Sequence, residues 1–437
     1  MRRTALLLCL AFAWLAFLPA AAFAFGAKSL AVANGEDVWF AEDHTIPVVS
    51  LVVSLPAGSV YDPAGKNGLA GFAAALMDEG AGDLDAKRFH AALADRAIQL
   101  SIAPDRDYLV VALTTLSVNT KEAMRLLALA LAHPRFDGDA IARVRAQMIQ
   151  NLKQQDQDPS TVAEKGFGLA FFDGHPYAHP VAGDNAGLAA IGQNDLKAFA
   201  RTHWVRGGLK IAVAGDIDAA TLTALLRSTF SDLSGATPPA PPKIGKLGAP
   251  GVHVLPMDVP QPNAMFGLPG IMRRDPDYLA GYVANQILGG SGMSSRLMLE
   301  VREKRGLTYD VSTELATLRK ASVMVGAVAT RRDAMRQTID VVRDALRKFA
   351  AEGPTDQELA DAKTYLTGSF PLAFASNAGT AAQLGTFQRS GMAVDYMTKR
   401  NALINAVTID DVRRVAKRLF DPAKLTVVVA GTMTKPK

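Results

Sequence analysis

An internal repeat constrains this chain of 437 residues more than any other feature. The segment Asp195-Leu-Lys-Ala-Phe-Ala-Arg201 leads to Leu209-Lys-Ile-Ala-Val-Ala-Gly215, and Asp411-Val-Arg-Arg-Val-Ala-Lys417 leads to Leu425-Thr-Val-Val-Val-Ala-Gly431. The offset is 216 at both ends (411 − 195 and 431 − 215), and it also places Trp204 on Phe420. Upstream, Ile141-Ala142-Arg143 parallels Leu359-Ala360-Asp361 at an offset of 218, so the copies differ by small insertions. Shared apolar periodicity accounts for part of such a match, but a gapless correspondence over about twenty residues implies a duplicated domain. Between the copies runs Ser234-Gly-Ala-Thr-Pro-Pro-Ala-Pro-Pro-Lys243, continuing to Gly251. That composition resists regular structure and makes a semi-extended linker. The expected organisation is a domain over 25–233, a linker over 234–251 and a second domain over 252–437.

Each copy reads as mixed α and β. Val48 to Leu55 is apolar and rich in β-branched residues, as a strand requires, and Tyr108 to Leu113 and Val323 to Val328 read similarly. Lys121 to Leu131 and Arg332 to Ala350 carry apolar residues at three and four spacing, which predicts helices. Strands and helices do not alternate strictly, so an α+β layer is expected rather than a doubly wound sheet.

The N-terminus reads as a secretory signal over 1–24. Arg2 and Arg3 precede an apolar run from Ala5 to Phe17, and Ala22-Phe23-Ala24 is a small-residue cleavage site before Phe25. The run is short of the ~18–20 residues that a membrane span needs. Cys9, the one cysteine, falls in this leader, so the mature chain offers no disulfide and no thiolate ligand or nucleophile. A formal charge of +5, two units of it in the leader, is too weak to point to nucleic acid, and no Lys/Arg block tracks phosphates. The expectation is a soluble, exported, periplasmic protein without stable membrane insertion.

Few residues present the spacing of a catalytic site. His175 and His179 stand four apart, but Pro176 and Pro180 disfavour the helix that would put both imidazoles on one face. The other mature histidines, His44, His90, His133, His203 and His253, are scattered and read as structural. Asp78 and Glu79 read as a solvated terminus or loop contact. Ser291, within Leu288-Gly-Gly-Ser-Gly-Met-Ser-Ser-Arg-Leu297, lacks the flanking spacing of a nucleophile elbow, and no Gly-Lys-Ser/Thr follows to make a P-loop. Gly289, Gly290 and Gly292 there form either a flexible turn before a helix or a loop that admits a close backbone approach.

The segment Gly68-Leu-Ala-Gly-Phe-Ala-Ala-Ala-Leu-Met-Asp-Glu79 resembles the helix that carries His-x-x-Glu-His in the insulinase-like (M16) metallopeptidases. On that resemblance the first His position is Gly71, the Glu position Ala74 and the second His position Ala75. The third ligand, a Glu before an acidic stretch and a Pro, maps through Gln150-Asn-Leu-Lys-Gln-Gln-Asp-Gln-Asp-Pro159 onto Asn151. Zinc needs imidazole or carboxylate ligands and its bound water needs a base; of these positions only Asn151 offers a polar side chain, and a neutral amide is a poor replacement for a carboxylate. The bland reading of Gly71 to Leu76 is an Ala-rich core helix.

A second segment, Leu297-Met-Leu-Glu-Val-Arg302-Glu-Lys-Arg305-Gly-Leu-Thr-Tyr309-Asp-Val, is similar to the C-terminal-domain motif of the same family. There an Arg, and a Tyr seven residues later, reach substrate at the zinc of a facing domain, which carries the pair onto Arg302 and Tyr309. A guanidinium donates several fixed hydrogen bonds to peptide carbonyls, and a phenol can donate to an oxygen gaining charge. The plain alternative is a solvated helix Arg and a packed strand Tyr. The resemblance covers nearly the whole mature chain and implies two homologous α+β domains forming half of a clamshell around peptide. It implies a substrate-binding, non-zinc subunit of a heterodimeric M16B peptidase. Arg302, Tyr309 and the glycines Gly289, Gly290 and Gly292 would meet substrate, with zinc and base in a homologous partner that keeps His-x-x-Glu-His. The rival is a non-enzymatic periplasmic peptide-binding or assembly protein.

Overall fold

A computed structural model describes residues 26–32 and 36–433. The expected signal segment 1–24, with Cys9, lies outside the described residues.

Two sheets of matching topology organise the chain. In the N-terminal half run β1 (Lys28–Ala31), β2 (Asp37–Glu42), β3 (Val48–Leu55), a two-residue hairpin of β4 (Gly80–Ala81) and β5 (Leu84–Asp85), β6 (Gln99–Pro104), β7 (Leu109–Leu116) and β8 (Lys210–Gly215). Apart from the hairpin, they form one sheet in the order β1-β2-β8-β3-β7-β6. The C-terminal half supplies β9 (Gly251–Leu255), β10 (Asn263–Pro269), β11 (Val311–Thr317), β12 (Ser322–Ala329) and β13 (Thr426–Ala430), in the order β11-β12-β10-β13-β9. From the opposite edge, this second order repeats the first without β1. Each sheet has one parallel pair, β2 with β8 and β9 with β13, and its remaining pairs are antiparallel. The chain is therefore α+β and duplicated. The repeat read from sequence falls on helices Gln193–His203 and Ile409–Leu419, each followed by an interior strand, β8 or β13.

The strand expected over Val48 to Leu55 is β3, and those expected over Tyr108 to Leu113 and Val323 to Val328 are β7 and β12. The helix expected from Lys121 spans Thr120–Ala132. The one expected from Arg332 starts at Met335, because the Arg332 guanidinium is drawn outward to the Val259 carbonyl and to Asp258.

The apolar runs of β3, β8 and β13 do not alternate, and nearly all of their residues are buried. A strand of that kind must be covered on both faces. One face of each sheet packs on helices of its own half: Phe40, Leu51, Val53, Val111 and Val213 in the N-terminal core, Phe266, Leu268, Val311, Val427 and Val429 in the C-terminal core. The other face is covered by a helix from the opposite half. Helix Asn377–Arg389 lays Ala381, Leu384 and Phe387 on Trp39, Val52, Ala212 and Ala214. It is pinned by Asn377 Nδ2 to the Val48 carbonyl, Gln388 Nε2 to the Asp37 carbonyl and Arg389 to Ser54 Oγ, each at 2.9 Å. Reciprocally, helix Pro159–Phe171 lays Phe167 and Phe171 on Val323, Val325 and Val428. Small residues permit the close crossing: a Cβ on Gly166 would lie 2.5 Å from Leu255 Cδ1, and one on Gly267 2.6 Å from Phe167 Cζ.

Residues 234–250 contain no helix or strand. They are nonetheless anchored, with Ile244 and Leu247 packed beside Phe171 in this second interface and Gly248 N donating to the Phe171 carbonyl at 2.9 Å. Among the described residues no helix is long and apolar enough to cross a membrane.

Candidate functional site

Helix Leu69–Ala75 carries Gly71, Ala74 and Ala75, three of the four positions that correspond to metal ligands and base. It begins where Gly68, at φ 95°, lets the chain enter, and Asp62 caps it by accepting from Gly68 N at 2.7 Å and Ala70 N at 2.8 Å. Burial pushes the Asp62 carboxyl up to about 7 against those donors. The helix closes at Ala75, short of Asp78 and Glu79, which lie in the following turn. Glu79 pairs with Arg143 of helix Gly138–Gln155, and Asp78 lies 3.4 Å from His90. Those acids are loop contacts.

Gly71, Ala75 and Asn151 line a single pocket of about 360 Å³, together with Ile102, Met148 and Val181. The fourth position, Ala74, is buried in the N-terminal core. The walls are mostly apolar. The Asn151 carboxamide is engaged by its own helix, accepting from Gln147 Nε2 at 2.8 Å. A Cβ on Gly71 would lie 2.6 Å from the Val181 carbonyl oxygen, so backbone occupies the space a first ligand side chain would need. Among the described residues no group of three or more His, Cys, Asp or Glu side chains is placed to hold a metal ion. These residues do not fit zinc.

His175 and His179 flank the short turn Pro176–Ala178. His175 Nδ1 accepts from Tyr177 N at 3.1 Å and its Nε2 faces the Pro242 carbonyl at 3.3 Å, whereas His179 Nδ1 lies 3.5 Å from Asn67 Nδ2. The two rings are committed to different neighbours. His203 packs between Tyr61 and Phe199, with centroids 4.6 and 4.5 Å away, and burial lowers its pKa to about 4.

Arg302 and Tyr309 stand elsewhere, on the C-terminal half. Arg302 lies on the π-helical turn Met298–Glu303, a conformation frequent at functional positions. Its guanidinium lies 3.1 Å from Met293 Sδ and 3.7 Å from Glu303. Tyr309 precedes β11 and is 85% exposed, and its hydroxyl has no hydrogen-bond partner among the described residues. It is not a packed strand residue. The glycines divide. Gly289 ends helix Tyr278–Gly289 and would press a Cβ to 2.5 Å from Thr313 Oγ1, and Gly290 would press one to 2.3 Å from Gln286 Oε1, so both serve close packing. Gly292, at φ 109°, lies in the exposed loop with Met293.

Sequence reasoning missed a polar cluster between the halves. The Asp107 carboxylate, 4% exposed, accepts from the Tyr177 hydroxyl at 2.5 Å and from Arg319 N at 2.8 Å. Arg319 donates to the Tyr61 hydroxyl at 2.8 Å. Burial, and then the neighbouring carboxylate, push the Tyr177 phenol up. No spacing signal links these residues, because they come from distant parts of the chain.

Two family models match the sequence: the insulinase family of peptidases (M16) over residues 37–185, and the M16 peptidase inactive domain over residues 190–366. A protein of Helicobacter pylori described as the non-peptidase homolog YmxG is 26% identical over 335 residues, which are 77% of this chain and 78% of that protein. An uncharacterized zinc protease of Streptomyces coelicolor is 30% identical over 284 residues, 62% of this chain and 61% of that one. The crystal structure of a peptidase M16 inactive domain from Pseudomonas fluorescens superposes with a TM-score of 0.89 at 29% identity, covering 94% of this chain and 99% of that chain.

Proposed function

The chain belongs to the M16 insulinase family as a catalytically incomplete member, and from that premise we propose that it is the substrate-binding subunit of a two-chain M16B peptidase in the periplasm. A homologous partner that keeps His-x-x-Glu-His supplies zinc and the general base. This chain supplies Arg302 to peptide carbonyls and the Tyr309 phenol to the oxygen that gains charge. The observation that carries the reading is the Tyr309 side chain, 85% exposed with an unengaged hydroxyl. A phenol whose hydroxyl has no partner within its own fold is free to donate to a bound group. It supports action in trans that Arg302 and Tyr309 belong to the C-terminal half, whereas the pocket of Gly71 and Asn151 lies in the N-terminal half.

The test is peptide hydrolysis by the mature chain alone and mixed with a homologue that keeps the motif. The chain alone is expected to be silent and the mixture active. In the mixture Tyr309→Phe should lower kcat by about 10²–10³, the usual cost of one lost oxyanion donor, while leaving co-elution of the two chains unchanged. Full turnover by Tyr309→Phe would remove the phenol from the chemistry. A mixture that neither cleaves nor associates would favour the binding or assembly role instead.

A further inference from the structure

A cavity of about 820 Å³ opens on the N-terminal half and shares no residue with the Gly71 pocket. Leu131, Pro134, Phe136 and Leu233 supply apolar walls. Lys197 and Arg201 stand on its rim, four apart on helix Gln193–His203 and so on one face of it. Both are exposed, and neither has a hydrogen-bond or ion-pair partner among the described residues. A third cation, Arg135, reaches Asp137 at 2.6 Å. Asp232, the one carboxylate in the lining, is engaged by His133 Nε2 at 2.9 Å. Trp204 also lines the cavity. It is 3% exposed, and its buried indole N–H has no acceptor. The nitrogen itself has almost no accessible surface, so the cavity meets the rest of the Trp204 side chain.

We propose that this cavity binds a carboxylate joined to an apolar group. The anion sits between the Lys197 ammonium and the Arg201 guanidinium, and the apolar part packs on Leu131 and Phe136 beside Trp204. The volume is that of a small-molecule site, and apolar walls with a few convergent donors are its usual make-up. Inorganic phosphate would satisfy the cations and leave the walls wet, which is why an amphipathic carboxylate is favoured. Two sources share the chemistry: the C-terminal residue of a peptide and a free fatty acid.

The experiment is a tryptophan-fluorescence titration of the mature chain with N-acetyl-Leu-Leu as the free acid, with the same peptide amidated, and with decanoate. A saturable response to at least one of the two acids, and none to the amide, is expected. A response to the peptide acid alone assigns a peptide terminus, and one to decanoate alone assigns a fatty acid. The variant Lys197→Ala/Arg201→Ala changes two exposed side chains, so its far-UV CD and Tm should match the parent while binding weakens about tenfold or more. No saturable response to either acid at millimolar concentration, equal binding of the amide, or an unaffected double variant would overturn the assignment.

Discussion

Replacing Gly71 with Ala measures how firmly the lost metal position is closed. At an unobstructed helix position this change stabilises by about 1 kcal/mol, because Ala surrenders less backbone entropy than Gly. At Gly71 the new Cβ would lie 2.6 Å from the Val181 oxygen, whereas ordinary contact begins at 3.4 Å, so the two must part by about 0.8 Å. Neither side yields easily. Gly71 is buried on a short helix packed into the core. The Val181 strand of chain continues to Gly183, whose Cα faces the Asn67 backbone so closely that a Cβ there would lie 2.2 Å from the Asn67 oxygen. Overpacking costs about 1–3 kcal/mol, and an overlap against backbone that cannot swing away belongs to the upper part of that range, about 2–3 kcal/mol, which after the propensity gain leaves a net loss of about 1–2 kcal/mol. Gly368, the last residue of helix Asp356–Gly368, is the internal control. Nothing lies within 4 Å of its Cβ position, so Gly368→Ala should be stabilising by up to about 1 kcal/mol. Urea unfolding followed by far-UV CD reads both midpoints, and they should move in opposite directions. A Gly71→Ala chain as stable as the parent, beside a stabilised Gly368→Ala chain, would refute the argument, because Val181 would then yield freely.

The remaining expectations rest on the same structure. A chain carrying Gly71→His, Ala74→Glu, Ala75→His and Asn151→Glu should still fail to retain zinc in equilibrium dialysis, since the Val181 backbone stands where the first imidazole would enter. Stoichiometric zinc retention would show that the segment moves. Phe167, stacked on Phe171 with centroids 5.1 Å apart, covers the opposite half, so Phe167→Ala should cost about 3–5 kcal/mol in urea unfolding. A loss below about 1 kcal/mol would mean that the exchanged helix carries little of the packing. A protease site placed between Thr237 and Pro242 should, once cut, leave both halves in one size-exclusion peak, and two separate peaks would contradict the exchange of helices. His203 and Asp62 pull stability in opposite directions with pH. The folded pKa of His203, about 4, lies below its unfolded value, so its contribution is full above pH 6.5 and is lost as pH falls towards 4. The folded pKa of Asp62, about 7, lies above 3.8, so its contribution is full below pH 3.8 and is lost as pH rises through 7. His203→Phe should therefore remove up to about 3 kcal/mol of acid sensitivity between pH 6.5 and 4. An unchanged profile would rule out burial of a neutral imidazole as its source.

Much of this protein was legible as residue pattern. The 216-residue offset announced two copies, and the apolar, β-branched runs of β3, β7 and β12 announced strands. The absence of imidazole and carboxylate groups at Gly71, Ala74, Ala75 and Asn151 is a property of residue identity, so no structure was needed to read it. Periodicity also placed the long helices, because an apolar stripe at helical spacing must be buried somewhere. It did not say where. Hydrophobic burial is non-directional, and the apolar faces of helices Pro159–Phe171 and Asn377–Arg389 would suit either sheet. Only the tertiary structure sends each across to the other half, where Gly166 and Gly267 allow the approach. The obstruction of the Gly71 side-chain position by a carbonyl 110 residues downstream in sequence, at Val181, is likewise a matter of where backbone lies in space. So is the 85% exposure of Tyr309, which as a sequence symbol was equally a core residue. Residue identity sets which chemistry a position can perform, and packing against residues distant in sequence decides whether that position has room and access to perform it.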